Sequence, residues 1–348
     1  RAKLAYLIDA TAAPVCIIAP ISSWAAAVTG FVEGEDGFSI FLRAIPFNYY
    51  ALLTILTMVL LVVLKIDYGS MRVHEDNALR GDIYTTPDRP YADAQDDVVE
   101  EKGGVIDLVF PILVLIGCCI IGMLYSGGFF SGVSFVEAFS ASDASVGLML
   151  GSFFAFVITV IFYALRRVLK FTDSMACIPD GFKAMVPAIL ILTFAWTLKA
   201  MTDSLGAAEY VAGIMETAAT GLVNFLPAII FLVGCFLAFA TGTSWGTFGI
   251  LIPIVVAVFQ GTNETMMIIS ISACMAGAVC GDHCSPISDT TIMASAGAQC
   301  NHVNHVSTQL PYAMTVAAVS FVTYVIAGFV QNAWICLPIG IILMTGTL

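Results

Sequence analysis

Charge is scarce in this sequence: 11% of its 348 residues are Asp, Glu, Lys or Arg, against 59% hydrophobic. Soluble domains carry roughly 25% charged and 45–50% apolar residues, and an aqueous surface cannot hide such an apolar excess. A soluble enzyme, a disordered chain and a nucleic-acid binder are thereby excluded. Basic residues are scarcer still, 13 against 25 acids, and the imbalance is local. Residues 67–104 hold ten of the acids and four of the bases, half of the net charge of −12. The acidic balance describes one aqueous loop rather than a binding surface. No GxxxxGK[ST] phosphate loop occurs, which argues against ATP-driven transport, and there is no haem, flavin or Ser/His/Asp signature. Of the ten cysteines, Cys16, Cys118, Cys119, Cys235, Cys274 and Cys336 lie in apolar runs without framework spacing and read as buried filler. No signal peptide is recognisable. The chain opens Arg1-Ala2-Lys3 without a Met, so an upstream segment is expected.

What the sequence does have is apolar runs of membrane length. About 20 apolar residues cross a bilayer as a helix, because hydrocarbon forces every backbone group into internal hydrogen bonds. Uninterrupted candidates are residues 46–66, 105–125, 146–169, 185–204 and 310–330. Three further runs are interrupted: 4–28 at Asp9–Pro14, 226–259 at Thr241–Thr247, and 266–296 at Gly281–Thr291. The tail, 334–348, reads as a partial span or an interfacial segment. Arg166, Arg167, Lys170 and Lys183 place the link after 146–169 in the cytoplasm, and parity puts the acidic loop on the same side. The links 126–144 and 205–225 carry no Lys or Arg and fall outside.

The first and last interrupted runs form an internal repeat. Pro20-Ile-Ser22 matches Pro286-Ile-Ser288, and a proline opening the next helix follows at nearly the same offset, Pro46 after one and Pro311 after the other. The sense of the repeat depends on 226–259. A single crossing leaves the copies parallel, whereas a re-entrant hairpin inverts them. The Gly- and Thr-rich centre favours the hairpin, since exposed backbone at membrane depth survives only where protein or water covers it. The upstream half of the first copy is expected to lie outside this chain.

The richest cluster is Gly281-Asp-His-Cys-Ser-Pro-Ile-Ser-Asp-Thr-Thr291. An ionised Asp at membrane depth costs at least roughly 2.5–3.5 kcal/mol, so it needs a partner, a proton or an ion. Pro286 breaks the helix and frees carbonyls. With Ser285, Ser288, Thr290 and a carboxylate, those carbonyls form an oxygen set suited to a hard cation such as sodium. Asp289 is first choice for the exchangeable carboxylate and Asp282 second. A polar helix cap outside the membrane is the plain alternative. The second cluster, Thr241-Gly-Thr-Ser-Trp-Gly-Thr247, adds Thr241, Thr243 and Ser244, with glycines that allow close backbone approach. Ser/Thr bonding between packed helices is the plain alternative. Asp9 and Thr11, with Ser22 and Ser23, are the weaker counterpart in the first copy.

Other polar groups read more plainly. Lys199 and Asp203 share a helix face as a relay or a snorkelling pair. Asp107 begins a helix as an interfacial or N-terminal charge, and Glu216 has no evident partner. Cys280, His283 and Cys284, with Cys300, His302 and His305, have spacings unsuited to zinc. His302 and His305 are expected in a cytoplasmic turn, there to sense pH or to do nothing.

Through Ala240-Thr-Gly-Thr-Ser-Trp-Gly-Thr-Phe-Gly-Ile-Leu-Ile-Pro-Ile254, Gly281–Thr291, Gln309-Leu-Pro-Tyr-Ala313 and Lys3-Leu-Ala-Tyr-Leu-Ile-Asp-Ala-Thr-Ala-Ala-Pro-Val15, the chain resembles the NhaC-type sodium/proton antiporter family over its whole length. The resemblance implies an exchanger of the bacterial inner membrane, within an ion-transporter superfamily of inverted repeats that move by an elevator motion. It leaves open a sodium-coupled transporter or exchanger of a small organic anion or amino acid.

The expected protein is thus an all-α polytopic membrane protein, an inverted-repeat secondary transporter with broken helices and a re-entrant hairpin. Residues 1–66 end the first repeat, 67–104 form the acidic cytoplasmic loop and 105–348 form the second repeat. Sodium and protons are the transported species. No cofactor, structural metal, enzymatic activity or nucleic-acid partner is expected. The bilayer is the partner, with a homodimer left open.

Overall fold

The computed structural model describes residues 1–20, 37–88, 103–135, 141–179, 223–259 and 261–348, with isolated positions between them. Among these, every regular element is helical. In order they are α1 (Ala2–Cys16), α2 (Gly37–Ala44), a 3₁₀ turn (Ile45–Phe47), α3 (Tyr49–Leu64) and α4 (Gly69–Leu79). Then come α5 (Val105–Ser126), α6 (Ala144–Arg166), α7 (Leu226–Thr241), α8 (Ser244–Phe259), α9 (Glu264–Cys284), α10 (Asp289–Gly297), α11 (His302–Val330) and α12 (Ala333–Thr347). Five described segments, containing α3, α5, α6, α9 and α11, are long and apolar enough to cross a membrane. The protein is an all-α, multi-pass membrane protein. Apart from the isolated positions Thr193, Thr197, Met201 and Ser204, the expected helix 185–204, with Lys199 and Asp203, lies outside the described residues, as do Ser22, Ser23 and Glu216.

The centre is α9, of whose apolar stretch 89% is buried, against 11% for α5 and for α6. Its Ser, Ala, Gly and Cys side chains allow other helices to approach closely. A Cβ added at Gly277 would strike the Phe231 carbonyl, and one at Gly281 the Cys235 carbonyl, so α7 crosses α9 at backbone distance. The paired positions advance together (231 with 277, 235 with 281), so α7 and α9 run parallel.

Two ion pairs reveal how the repeats are oriented. Lys3, at the start of α1, binds Asp67, just past the end of α3, at 2.9 Å. Arg43, just before α3, binds Glu264 at the start of α9. The two broken helices therefore enter from opposite ends of α3. Their following helices agree: Tyr49 packs on Tyr324 with ring centres 4.8 Å apart, and Tyr312 donates to Asp67 at 2.9 Å, so α3 and α11 are antiparallel. The repeat is inverted.

Between the copies, α7 and α8 form the hairpin. Phe225 begins it against Phe329 at the end of α11, with ring centres 5.1 Å apart, and Phe259 leads straight into the Asn263 cap of α9. Both limbs thus reach the same end of the bundle. Each has 16 residues, about 24 Å at 1.5 Å per residue, short of the ~30 Å hydrocarbon core.

Prolines correct the expected helix boundaries. The break in the first copy does not fall at Asp9–Pro14, because α1 continues through Pro14 and ends at Cys16. Pro311 does not open a helix but lies inside α11, which starts at His302 with Asn301 as its cap. A proline inside a helix frees the carbonyl four residues earlier. For Pro311 that is Ser307, whose oxygen accepts the Ser70 hydroxyl at 2.6 Å. For Pro111 it is Asp107, whose carbonyl accepts the Tyr163 hydroxyl at 2.7 Å. The Asp107 carboxylate caps Gly104 and pairs with Arg166 at 2.8 Å, holding the start of α5 to the end of α6. That geometry matches its reading as an N-terminal charge. The tail forms α12, packed through Cys336, Gly340 and Met344, and the acidic loop contains α4.

Candidate functional site

The hairpin tip and the break of the second copy meet. Gly242, at φ +66°, ends α7 in the left-handed conformation that turns the chain into α8, and a Cβ there would strike Ile287. One residue on from the Gly281 crossing, α9 reaches Asp282 and ends at Cys284, with Ser285 extended beyond it. The Ser285 hydroxyl donates to the Phe239 carbonyl at 2.9 Å, tying break to tip. Beyond Pro286, α10 starts from Ser288, whose hydroxyl shares a hydrogen bond with Thr290 at 2.8 Å instead of capping the helix.

Four helix ends therefore share one place. The C-termini of α7 and α9 bring carbonyl oxygens and partial negative charge, and the N-termini of α8 and α10 bring N–H groups and partial positive charge. Asp282 is buried among them, facing the Ser288 and Ser244 hydroxyls, and its Oδ1 has no hydrogen-bond donor. Ser244, Ser285 and Ser288 are all buried and Thr243 half-buried. The first copy reaches the same region. Trp24, just past its break, packs on Trp245 and Phe248 at the head of α8, with ring centres 5.2 and 4.6 Å away.

Not every candidate joins this cluster. Asp289 is exposed on the first turn of α10, its Oδ1 accepting from the Thr290 N–H at 2.9 Å, though it remains near enough to Asp282 for their charges to interact. Thr241 is exposed and turns its hydroxyl to the Leu237 carbonyl at 2.8 Å. Thr11 is likewise exposed and bonded back to Leu7 at 2.7 Å.

Asp9 is buried elsewhere, with its Oδ2 3.2 Å from His305 Nε2. This corrects the expectation of a cytoplasmic turn: His302 and His305 occupy the first turn of α11. His302 bridges Ser295 at 2.9 Å and the Pro286 carbonyl at 2.6 Å, pinning the far end of the break. His305 is wholly buried. Around the pair lie His283, whose Nδ1 meets the Tyr50 hydroxyl at 3.1 Å, and Gln309, which donates to the His283 carbonyl. Tyr50 and Gln309 carry no role in the sequence reading, and His305 enters it only as a pH-sensing or inert turn residue. The usable signal is the spacing of His305 and Gln309, four apart and so on one helix face. Among the described residues, no group of three or more His, Cys, Asp or Glu could hold a metal ion.

Comparison with known proteins adds a family. The model of the Na+/H+ antiporter family matches residues 4–329. An uncharacterised protein of Haemophilus influenzae is 36% identical over 95% of this chain, which spans 64% of that protein's length. The malate-2H+/Na+-lactate antiporter of Bacillus subtilis is 26% identical over 47% of this chain and 34% of its own. An uncharacterised Na+/H+ antiporter of Haemophilus influenzae is 29% identical over 45% of this chain and 33% of its own. No solved structure matches.

Proposed function

This chain belongs to the Na+/H+ antiporter family, and from that premise we propose that it exchanges sodium for protons across the bacterial inner membrane, with Asp282 as the exchangeable carboxylate. The observation that carries the assignment is the burial of Asp282 where two helix C-termini meet, with one carboxylate oxygen free of donors. Burying an uncompensated carboxylate costs several kcal/mol, so the group must hold either a proton or a cation. Sodium would find the Asp282 carboxylate, the Ser244 and Ser288 hydroxyls and the end carbonyls of α7 and α9, an all-oxygen set suited to a hard cation. A proton would take the same carboxylate when sodium leaves, and inward proton flux would thereby expel sodium. Asp289, exposed beside it, raises the local cation concentration.

The test compares two variants of the full-length protein in proteoliposomes. Asp282→Asn is expected to abolish sodium-driven proton movement, and Asp289→Asn to retain most of it. Retention by the first variant with loss in the second would reverse the assignment.

A second reading has its own support. The N-termini of α8 and α10 open on the same junction and favour an anion, and one relative is named for malate and lactate exchange. If the chain moves an organic anion with sodium, adding malate or lactate will change sodium flux through the wild-type protein. Flux that is indifferent to both excludes these two substrates.

A further inference from the structure

We propose that the buried cluster of Tyr6, Asp9 and Gln309 is a second cation site, which takes a sodium ion between α1 and α11, apart from the junction at Asp282. It goes beyond the exchange assigned above and stands on its own geometry. Asp9 and His305 join the two copies at 3.2 Å, and Tyr6 packs on Tyr312 with ring centres 5.0 Å apart. These pairs advance in opposite directions along the two helices. Gln309, one turn past His305, therefore falls between the levels of Asp9 and Tyr6, which share one face of α1. Its amide faces the Asp9 carboxylate. His283 of α9 closes the cluster, stacking on Tyr6 with ring centres 6.2 Å apart while its carbonyl accepts the Gln309 N–H.

Five polar atoms here have no hydrogen-bond partner among the described residues: Tyr6 Oη, Asp9 Oδ1, His283 Nε2, His305 Nδ1 and Gln309 Oε1. All five side chains are buried. Buried polar groups are rarely left unmatched, and the bonds already made select the chemistry of a guest. A carbonyl only accepts, so the Gln309 nitrogen faces His283 and its oxygen is left as an acceptor. A carboxylate only accepts, so His305 Nε2 donates to Asp9 and neutral His305 keeps a lone pair on Nδ1. Tyr6 can accept as well as donate. What the cluster offers is mainly lone pairs.

Charge points the same way. Among the described residues no Lys or Arg pairs with Asp9, and Lys3, one turn before Tyr6, is held by Asp67 at 2.9 Å. A carboxylate beside neutral imidazole leaves net negative charge buried at membrane depth, which is costly. A sodium ion neutralises it and takes oxygen donors from Asp9, Gln309 and Tyr6, the donor type a hard cation prefers. A buried water would fill the hydrogen bonds and leave the charge. An imidazolium at His305 would balance the charge and leave the Asp9 and Gln309 oxygens unmatched.

The experiment follows the melting temperature of the purified full-length protein as sodium chloride replaces choline chloride at constant ionic strength. It is run at about pH 8.5, roughly two units above unperturbed histidine. A ligand that binds only the folded state raises this temperature. Asp282→Asn is expected to keep a rise that saturates with sodium, and Asp282→Asn/Asp9→Asn to lose it. No rise in Asp282→Asn, the outcome for a buried water or an imidazolium, overturns the second site and leaves the Asp282 assignment standing. A rise that survives in the double variant puts the sodium elsewhere and also overturns it. Failure of the Asp282 assignment is read separately, as sodium-driven proton movement retained by Asp282→Asn in proteoliposomes. If the double variant does not fold, Tyr6→Phe in the Asp282→Asn background decides, since it keeps both ring contacts and removes one oxygen. Its half-saturating sodium concentration should rise about tenfold, and an unchanged midpoint overturns the proposal.

Discussion

Gly281→Ala offers the sharpest test of how the hairpin tip is positioned. The added Cβ would overlap the Cys235 carbonyl and lie 2.7 Å from the Phe239 nitrogen and 2.8 Å from the Ala238 Cβ. Non-bonded carbons settle near 3.5–4.0 Å, so α7 must move away by roughly an ångström. Backbone on both sides leaves no flexible side chain to yield, and overpacking of this kind costs about 1–3 kcal/mol. The displacement is greatest at the functional end, because Phe239 also accepts the Ser285 hydroxyl that ties tip to break. In a chain of this size about 1 kcal/mol shifts the melting temperature by roughly 2–4 °C. Thermal unfolding of the purified full-length protein should therefore drop by several degrees. Sodium affinity should fall at least about tenfold, the equivalent of 1.4 kcal/mol. Gly297→Ala is the control, since a Cβ at the end of α10 meets nothing within 4 Å, and its melting temperature should stay within about a degree of wild type. The close crossing is refuted as the positioning device if Gly281→Ala melts and binds sodium like the control.

The proline kinks give double-mutant cycles. Ser70→Ala should cost about 0.5–1.5 kcal/mol by stranding the Ser307 carbonyl, and nearly nothing in a Pro311→Ala background, where a helix N–H returns to that oxygen. An unchanged cost in both backgrounds would show that Ser70 acts some other way. Tyr163→Phe should behave the same way against Pro111→Ala, read by thermal unfolding. Gly69→Ala combines a φ of +61° with a Cβ only 2.9 Å from the Pro311 ring. It should destabilise by more than the roughly 1–2 kcal/mol of left-handed strain alone, and a loss under about 0.5 kcal/mol would contradict the docking of α4 on the kink. Arg43→Ala should cost at most about 1 kcal/mol, because its pair with Glu264 is about half exposed, and raising the salt concentration should shrink that difference.

Where the chain breaks was legible when the breaking residues were small and polar within apolar sequence. The Gly- and Thr-rich centre at 241–247 and the Ser-Pro-Ile-Ser at 285–288 interrupt helices near the expected points, because Gly242 must adopt positive φ and Pro286 cannot continue α9. Proline by itself misled. Whether Pro14 or Pro311 ends a helix depends on what satisfies the freed carbonyl, and for Pro311 the donor is Ser70, 237 residues earlier. The same distance in sequence concealed the second polar site. Sequence alone suggests a loop position for His305, because its partner Asp9 lies 296 positions away. Asp289 and Asp282 were indistinguishable as carboxylates in one motif. Their different burial arises from the direction in which α9 and α10 leave the break, which a linear spacing does not encode.

Inversion makes the two copies structurally alike and chemically unlike. Setting Pro20 on Pro286 puts Cys16 at the register of Asp282 and Met275 at that of Asp9. Neither carboxylate has a counterpart in the other copy. Strict symmetry would place two carboxylates near the junction, and two buried like charges at close range cannot both stay ionised. Displacing Asp9 by nearly two helical turns, to where α11 supplies His305, separates the charges while keeping them in electrostatic contact. The second copy thus supplies the oxygen set, and the first supplies a carboxylate that only the second copy's imidazole completes. On this reasoning, transferring the Asp282 carboxylate to its register partner by Cys16→Asp/Asp282→Cys should not restore sodium-driven proton movement, since the hydroxyls of Ser244 and Ser288 remain on α8 and at the head of α10. Recovery of exchange in that double variant, measured in proteoliposomes beside Asp282→Cys alone, would mean that the two breaks are interchangeable and that the asymmetry has no functional content.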